Sequence, residues 1–488
     1  MNEYINDVFT ISNLMTTIYV INIFISLAII FLERKNPTTT LAWILILFFI
    51  PVVGFVLYIV LAQNISRQKI FRITAKEQKV IDESLKEQIR EMDENTYEFK
   101  EDVAARWKHM IKLNQVYGYS YFTQNNDVEI FDDGKRMFHN LIKDIRNAKD
   151  TINVMYYIIK DDMVGRKMID ALTQKAKEGL EVRMLVDTLG SRYITNRKLK
   201  EYLNAGGKIA YFFKPKLKLI NMKLNYRNHR KIVVIDGEVG YVGGFNIANE
   251  YLGFKKKFGY WRDTHVKIMG GAVQDLNARF IVDWRFASKE EIDITATYYT
   301  PVENRGNTGV QIVSCGPDSQ KEEIKRGLMK MITYAEKRVF LQSPYFVPDA
   351  SLLESLKMAV QSGVDVRIMI PCMPDHLFVY WATYAYVGEL LRSGAKVYIY
   401  DRGFLHAKTM VVDGEVTSVG SANFDRRSFR LNFEANAFIY DEDIAKKMEK
   451  LFYEDMKHGH ELTYEMYLNR STMIKFKEAI SRLLSDVL

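Results

Sequence analysis

Two histidines head the same pattern of residues. His229-Arg230-Lys231 is followed after four residues by Asp236, and after a further six by Gly243-Gly244-Phe245-Asn246. His406-Ala407-Lys408 repeats the spacing, with Asp413 after four residues and Gly420-Ser421-Ala422-Asn423 after a further six. In an extended segment, residues i and i+2 point to one face, so each copy presents an imidazole beside an ammonium. Val233 and Ile235 continue that face in the first copy, while Ile232 and Val234 pack on the other. The Asp236-Gly237 and Asp413-Gly414 steps are hairpin turn signals. Each hairpin returns its Gly-x-x-Asn segment beside the histidine. Glycine permits close backbone approach, and Asn and Ser add neutral donors.

Each copy is thus a small anion cradle holding one titratable base. Two such cradles face to face suit phosphodiester transfer. One neutral histidine attacks phosphorus and becomes a phosphohistidine. The other, protonated, gives its proton to the leaving alkoxide and then serves as base for the acceptor. Two Lys and two Asn stabilise the oxygens of the transition state. The two ammonium groups supply the charge compensation, so no metal and no cofactor is expected. The substrate-binding set is Gly243, Gly244, Asn246, Gly420, Ser421 and Asn423. Asp236 and Asp413 complete the catalytic signature, but their turn positions read as hairpin stabilisers rather than as acids.

A catalytic histidine needs a partner on its second ring nitrogen. Asp263, in Trp261-Arg262-Asp263-Thr264-His265, and Glu434, in Asn432-Phe433-Glu434, stand downstream of each motif. They read equally as orienting acids and as structural ion-pair partners. His109, His139, His265, His376, His458 and His460 sit in no repeated context and read as structural or surface residues.

The twin motif resembles that of the phospholipase D superfamily, whose members pair two such motifs in one active site. Other stretches resemble the bacterial cardiolipin synthases within it. They are Ala42-Trp43, Pro51-Val52-Val53-Gly54, Asn228 to Lys231, Tyr260 to His265, Gln342-Ser343-Pro344-Tyr345-Phe346, and Lys475-Phe476-Lys477-Glu478. The resemblance implies condensation of two phosphatidylglycerols to cardiolipin and glycerol. His229 is then the nucleophile and His406 the acid and base, with Lys231 and Lys408 at the phosphate. Gly244 departs from the Ser often found there, so the half-sites need not be chemically equivalent. Competing readings are a hydrolytic phospholipase D, another phosphatidyltransferase, a nuclease and a non-catalytic membrane scaffold. Two apolar spans argue against the nuclease, so no nucleic-acid partner is expected. Both intact motifs argue against the scaffold.

The elements that position these residues form a duplicated α/β pattern. A helix at Met137–Ala148 and a strand at Ile152–Ile159 are matched by a helix at Gly327–Ala335 and a strand at Val339–Phe346. Gly179 to Asp187 is matched by Gly363 to Pro371, and Gly206 to Phe212 by Gly394 to Tyr400. The expected fold class is α/β: two phospholipase D-like halves with pseudo-twofold symmetry, the site at their junction, preceded by two transmembrane helices.

The chain has 488 residues, a net charge of +8 and two cysteines, Cys315 and Cys372. Length allows two domains and an anchor, and the cysteines read as core thiols rather than a disulfide framework. The charge suits an anionic membrane or anionic substrate. Leu14–Leu32 and Leu41–Ala62 are apolar runs of membrane-spanning character. The first lacks the basic flank and cleavage site of a signal peptide. Arg67, Lys69, Arg72 and Lys76 follow the second run, whereas no basic residue precedes the first. The positive-inside rule then favours a cytoplasmic catalytic region and a multi-pass inner-membrane protein.

The expected divisions are an anchor (1–64), a charged helical connector (65–125), a first half (126–300) and a second half (301–488). The connector reads as a solvated helix without a binding role. Basic and apolar residues alternate at Phe213–Leu219 and Phe254–Phe258, where interfacial contact competes with plain solvation. Met473, Phe476, Ile480, Leu483, Leu484 and Val487 recur at helical spacing in the C-terminal stretch. Core packing is the favoured reading there, with membrane docking as the alternative.

Overall fold

The computed structural model describes all residues except 1, 33–36, 51–52, 55–57, 59–69, 215–224, 296–301, 320 and 486–488. Its first half contains β1 (Thr123–Asp133), β2 (Thr151–Tyr156), β3 (Glu181–Asp187), β4 (Lys208–Phe212), β5 (Ile232–Ile235), β6 (Val239–Gly243) and β7 (Tyr260–Met269). The second contains β8 (Thr308–Cys315), β9 (Arg338–Gln342), β10 (Asp365–Pro371), β11 (Lys396–Tyr400), β12 (Thr409–Val412), β13 (Val416–Gly420), β14 (Asn432–Tyr440) and β15 (Gly459–Leu462).

The two sheets repeat one topology. In the first, the order is β4-β3-β2-β5-β6-β7-β1, parallel from β4 to β2 and antiparallel beyond. In the second it is β11-β10-β9-β12-β13-β14-β8, again parallel for the first three strands, with β15 added at the edge. Helices at Gly134–Asn147 and Met163–Lys177 precede and follow β2; Glu323–Tyr334 and Ala350–Gln361 do the same for β9. The duplication expected from the repeated pattern is therefore present element by element. β1 pairs with both β7 and β8, so the strand at the nominal boundary belongs to both halves.

The histidine-bearing segments become strand only after the motif lysines, at Ile232 and Thr409. Both faces of the following strand are buried, as helices on both sides of a sheet require. Val233 and Ile235 pack in one apolar cluster and Ile232 and Val234 in another. The second cluster also holds Val411, Val419 and Ala437 of the other half, so one core crosses the junction.

The connector is not a solvated helix. The helix Ala75–Asp93 starts with a Thr74/Glu77 capping box and buries Glu77, Leu85, Gln88 and Met92. Glu77 pairs with the buried Arg285 at 2.6 Å, and Gln88 donates to the Phe122 carbonyl at 2.9 Å. Farther on, Trp107, Met110 and Ile111 join the core of the second half. Apart from Glu77, the charged residues of this helix lie on its outer face.

The first apolar run lies in a helix, Asn2–Leu32, and the front of the second lies in Pro37–Phe49. Asn22 donates to the Leu47 carbonyl at 3.0 Å and ties the two together. Among the described residues no helix is long and apolar enough to cross a membrane. Much of Leu41–Ala62 lies outside the described residues, as do Pro215–Leu219 of the first basic flank, and Val487. The expectation of two spans is therefore not established by the described helices. The C-terminal helix, Thr472–Leu484, overturns the core-packing expectation, because Met473, Phe476, Ile480 and Leu483 are all exposed. Of the thiols, Cys315 is buried and Cys372 half-buried, and neither forms a disulfide.

Candidate active site

The two histidines meet where the halves join, and each is held by the other half. The backbone N–H of His229 donates to the Phe433 carbonyl at 2.9 Å, and that of His406 donates to the Arg262 carbonyl at 2.7 Å. These carbonyls belong to the residues just before Glu434 and Asp263. The side chains follow the same exchange. Nδ1 of His229 lies 2.9 Å and 3.0 Å from the two Glu434 oxygens, and Nδ1 of His406 lies 2.5 Å from Asp263 Oδ2. Each of the two acids singled out in sequence thus faces the histidine of the opposite motif. With Nδ1 occupied, Nε2 of each ring is the nitrogen left for chemistry.

The partners of the acids differ between halves. Glu434 also accepts from Ser421 Oγ at 2.5 Å and from Asn432 Nδ2 at 3.2 Å. Ser421 Oγ in turn accepts the Ala435 N–H at 3.0 Å. In the first half no hydroxyl could fit: a Cβ on Gly244 would sit 1.9 Å from Asp263 Oδ1. Gly244 and the short Asp263 form one solution, and Ser421 and the longer Glu434 form the other.

That geometry corrects the expected substrate-binding set. A Cβ on Gly243 would collide with His265, and one on Gly420 with the Asn436 amide. These glycines make room for protein side chains behind the histidines. Register makes His265 and Asn436 counterparts, facing Gly243 and Gly420 respectively, so His265 does have an equivalent in the second copy. Both His265 nitrogens are buried without a partner among the described residues, and burial pushes its pKa down to about 3. Asn246 spends its amide internally, accepting from Ile158 N–H at 3.2 Å and donating to the Tyr251 hydroxyl at 3.0 Å. Asn423 is buried, and its Oδ1 has no partner among the described residues.

Asp236 and Asp413 lie at the hairpin turns, both with positive φ. Asp236 accepts the N–H groups of Lys149, Asp150 and Thr151 at 2.8–3.0 Å. Asp413 accepts those of Glu336, Lys337 and Arg338 at 2.7–2.9 Å. Each clamps the entry to the neighbouring strand, so grouping them with the catalytic residues is corrected: their oxygens are committed to backbone amides.

Lys231 and Lys408 are buried, and each ammonium donates to the carbonyl of its own histidine, at 2.6 Å in the first motif. Lys408 Nζ also lies 2.9 Å from His406 Nδ1. Burial, with the second ammonium nearby, lowers Lys231 to about 7, and burial alone lowers Lys408 in the same direction. Burial likewise lowers His229 to about 4 and depresses His406. For the acids burial works upward, but it is outweighed. Lys408 and His406 hold Asp263 ionised, and His229 and Lys231 hold Glu434 ionised. The result is a dry site with two carboxylates, two neutral imidazoles and two ammonium groups that an anion would stabilise. Among the described residues no group of three or more His, Cys, Asp or Glu is arranged to hold a metal ion.

Several contributors have no role legible in the repeated pattern. Tyr157 packs edge-on to His229 at 4.9 Å, and Trp261 lies 5.1 Å from His406. Arg230, fully buried, pairs with Asp283 at 2.7 Å and donates to the Glu434 carbonyl at 3.1 Å. Arg262 pairs with Asp455 at 2.9 Å.

The family described as cardiolipin synthase, PLD-like domain, matches residues 141–284 and 328–456, and the one described as phospholipase D-nuclease N-terminal matches residues 20–63. The chain is 48% identical over 478 residues to the major cardiolipin synthase ClsA of Bacillus subtilis (strain 168), covering 98% of this chain and 99% of that one. It is 49% identical over 476 residues to a cardiolipin synthase of Listeria monocytogenes serotype 4a (strain HCC23), covering 97% and 99%. Among solved structures, the fold is similar to phosphatidylserine synthase of Haemophilus influenzae Rd KW20. The TM-score is 0.58 at 18% identity, over 78% of this chain and 97% of that one. Together with the paired motifs, these full-length similarities show that the chain belongs to the bacterial cardiolipin synthases of the phospholipase D superfamily.

Proposed function

We propose that this chain joins two phosphatidylglycerols into cardiolipin and releases glycerol, by phosphatidyl transfer through a phosphohistidine. The observation that carries the reading is the reciprocal hold on the half-buried His229 and the buried His406, each anchored at Nδ1 by the carboxylate of the other half. In this reading Nε2 of His229 attacks phosphorus, and the bond from phosphorus to the glycerol oxygen breaks. His406 takes up a proton when the anionic phosphate is bound, and as imidazolium it gives the proton on Nε2 to that oxygen, so glycerol leaves neutral. The terminal hydroxyl of a second phosphatidylglycerol then returns a proton to His406. Its oxygen attacks phosphorus and frees His229. Lys231 and Lys408 balance the non-bridging oxygens, and Asn423 completes the cradle.

Residues 1–64 act as the membrane anchor, with the catalytic halves on the cytoplasmic side. Support comes from apolar side chains turned outward, including Leu14, Phe24, Phe48 and Phe49. The connector and the two halves follow in the order expected, as 65–125, 126–300 and 301–488. An anchored site receives its second lipid at high effective concentration, which favours a lipid acceptor over water.

The test is the product. Purified full-length protein incubated with phosphatidylglycerol vesicles should yield cardiolipin and free glycerol with little phosphatidic acid. Phosphatidic acid as the main product would instead assign a hydrolytic phospholipase D.

A further inference from the structure

The C-terminal helix is amphipathic in the wrong sense for a soluble protein. Surface helices turn their apolar stripe to the core and their charges outward. Thr472–Leu484 instead turns four apolar side chains outward and buries a carboxylate. Its inward residues are Glu478 and Ser481, each 3% exposed. Glu478 accepts a bidentate pair from Arg470, at 2.7–2.9 Å. Its outward stripe is Met473, Phe476, Ile480 and Leu483, exposed by 62, 62, 39 and 74%.

The helix lies alongside Leu377–Ser393. Lys477 sits over the Trp381 ring at 5.2 Å, and Arg482 over the Tyr386 ring at 5.1 Å while pairing with Glu389. These contacts set the two helices parallel, which brings Met473 to the first turn of its neighbour. There Leu377 and Phe378 are also exposed. That turn follows Asp375, which accepts a hydrogen bond from the Tyr345 hydroxyl, and the residue after that tyrosine, Phe346, pairs with Phe424 beside Asn423. The apolar strip therefore runs to the border of the reaction centre.

Charge selects the occupant. The helix carries Lys475, Lys477 and Arg482 against one carboxylate, Glu478, which is turned inward. An apolar stripe flanked by cations is complementary to an anionic lipid surface. We propose that the outward face of Thr472–Leu484, continued by Leu377 and Phe378, docks on an anionic phospholipid bilayer and seats the mouth of the site among the headgroups. The inference deepens the lipid-transfer reading and rests on it.

The test uses the full chain in phosphatidylglycerol vesicles. An environment-sensitive fluorophore is placed at Met473→Cys, with Cys372 replaced by Ser, and lipids brominated in the acyl chain serve as quencher. Docking predicts quenching at this site; a label that stays unquenched overturns the proposal. In parallel, Phe476→Glu combined with Leu483→Glu should lower the ratio of turnover on vesicles to turnover on monomeric short-chain phosphatidylglycerol by about tenfold or more. An unchanged ratio also overturns it. If wild-type protein turns over neither substrate, the functional reading fails, and quenching still decides the docking. If the double variant halves the mass of the protein in lipid-free detergent, the face joins two copies and the bilayer assignment is wrong.

Discussion

Replacing Glu434 by Gln isolates the crossed pairing of acids and histidines. The substitution keeps size and shape but removes the charge of a fully buried carboxylate that faces His229 Nδ1 at 2.9 and 3.0 Å. A charge-assisted hydrogen bond contributes about 1.5–3 kcal/mol, and uncompensating a buried charge costs about 3–5 kcal/mol. A barrier increase of about 3–5 kcal/mol corresponds to a rate loss of roughly 10²–10⁴-fold. Asp263→Asn is expected to cost a similar amount, because it acts on His406 in the same way. The leaving group tells the two apart. With phosphatidylglycerol both variants should be slow. With a phosphatidyl ester of p-nitrophenol, whose departure needs no proton, the burst of nitrophenolate should recover in Asp263→Asn and remain slow in Glu434→Gln. The reverse pattern, with recovery in Glu434→Gln, would refute the assignment of each acid to the opposite histidine.

Three further expectations follow from the same geometry. Ser421→Ala removes a donor to Glu434 and the acceptor of the Ala435 N–H, and should cost about 1–3 kcal/mol of stability and roughly tenfold in kcat. Gly244→Ser, which copies the second half into the first, should inactivate the enzyme, because Asp263 occupies the space; wild-type turnover there would show that the halves are interchangeable. The third concerns pH. Lys231 falls from 10.5 in the unfolded chain to about 7 in the folded one, so between those values the unfolded state binds more protons. Wild-type stability contributed by this group therefore rises with pH across that window. Lys231→Met should abolish turnover yet raise Tm at pH 7 by about 1–3 °C, the gain shrinking toward pH 10. A lower Tm at pH 7, measured by thermal unfolding in detergent, would contradict the burial argument.

Much of this site is legible in the residues themselves. Identical spacing around His229 and His406 implies two half-sites built by one duplicated unit, and the Asp-Gly steps mark the turns at which Asp236 and Asp413 have positive φ. A continuous apolar run predicts a strand buried on both faces, as Ile232–Ile235 is. What the chain order hides is which half answers which. Asp263 and Glu434 each follow their own motif in sequence, and only the pairing of the Asn432–Phe433 edge with Arg227–Asn228 brings Glu434 to His229. Glycine roles are equally hidden, because the side chain that needs the space at Gly244 arrives from another strand. Helical spacing in the C-terminal stretch announces an apolar face without saying which way it points. Its direction is set by Glu478, whose ion pair with Arg470 draws the polar side inward.

The central claim is that the phosphatidyl group passes through His229. Full-length protein mixed briefly with phosphatidylglycerol labelled in its acyl chains, quenched at alkaline pH where phosphoramidates survive, and digested for mass spectrometry tests it directly. The account predicts label on the peptide carrying His229 and none on that carrying His406. Label on His406 would reverse the roles of the two half-sites, and label on neither would contradict a covalent transfer.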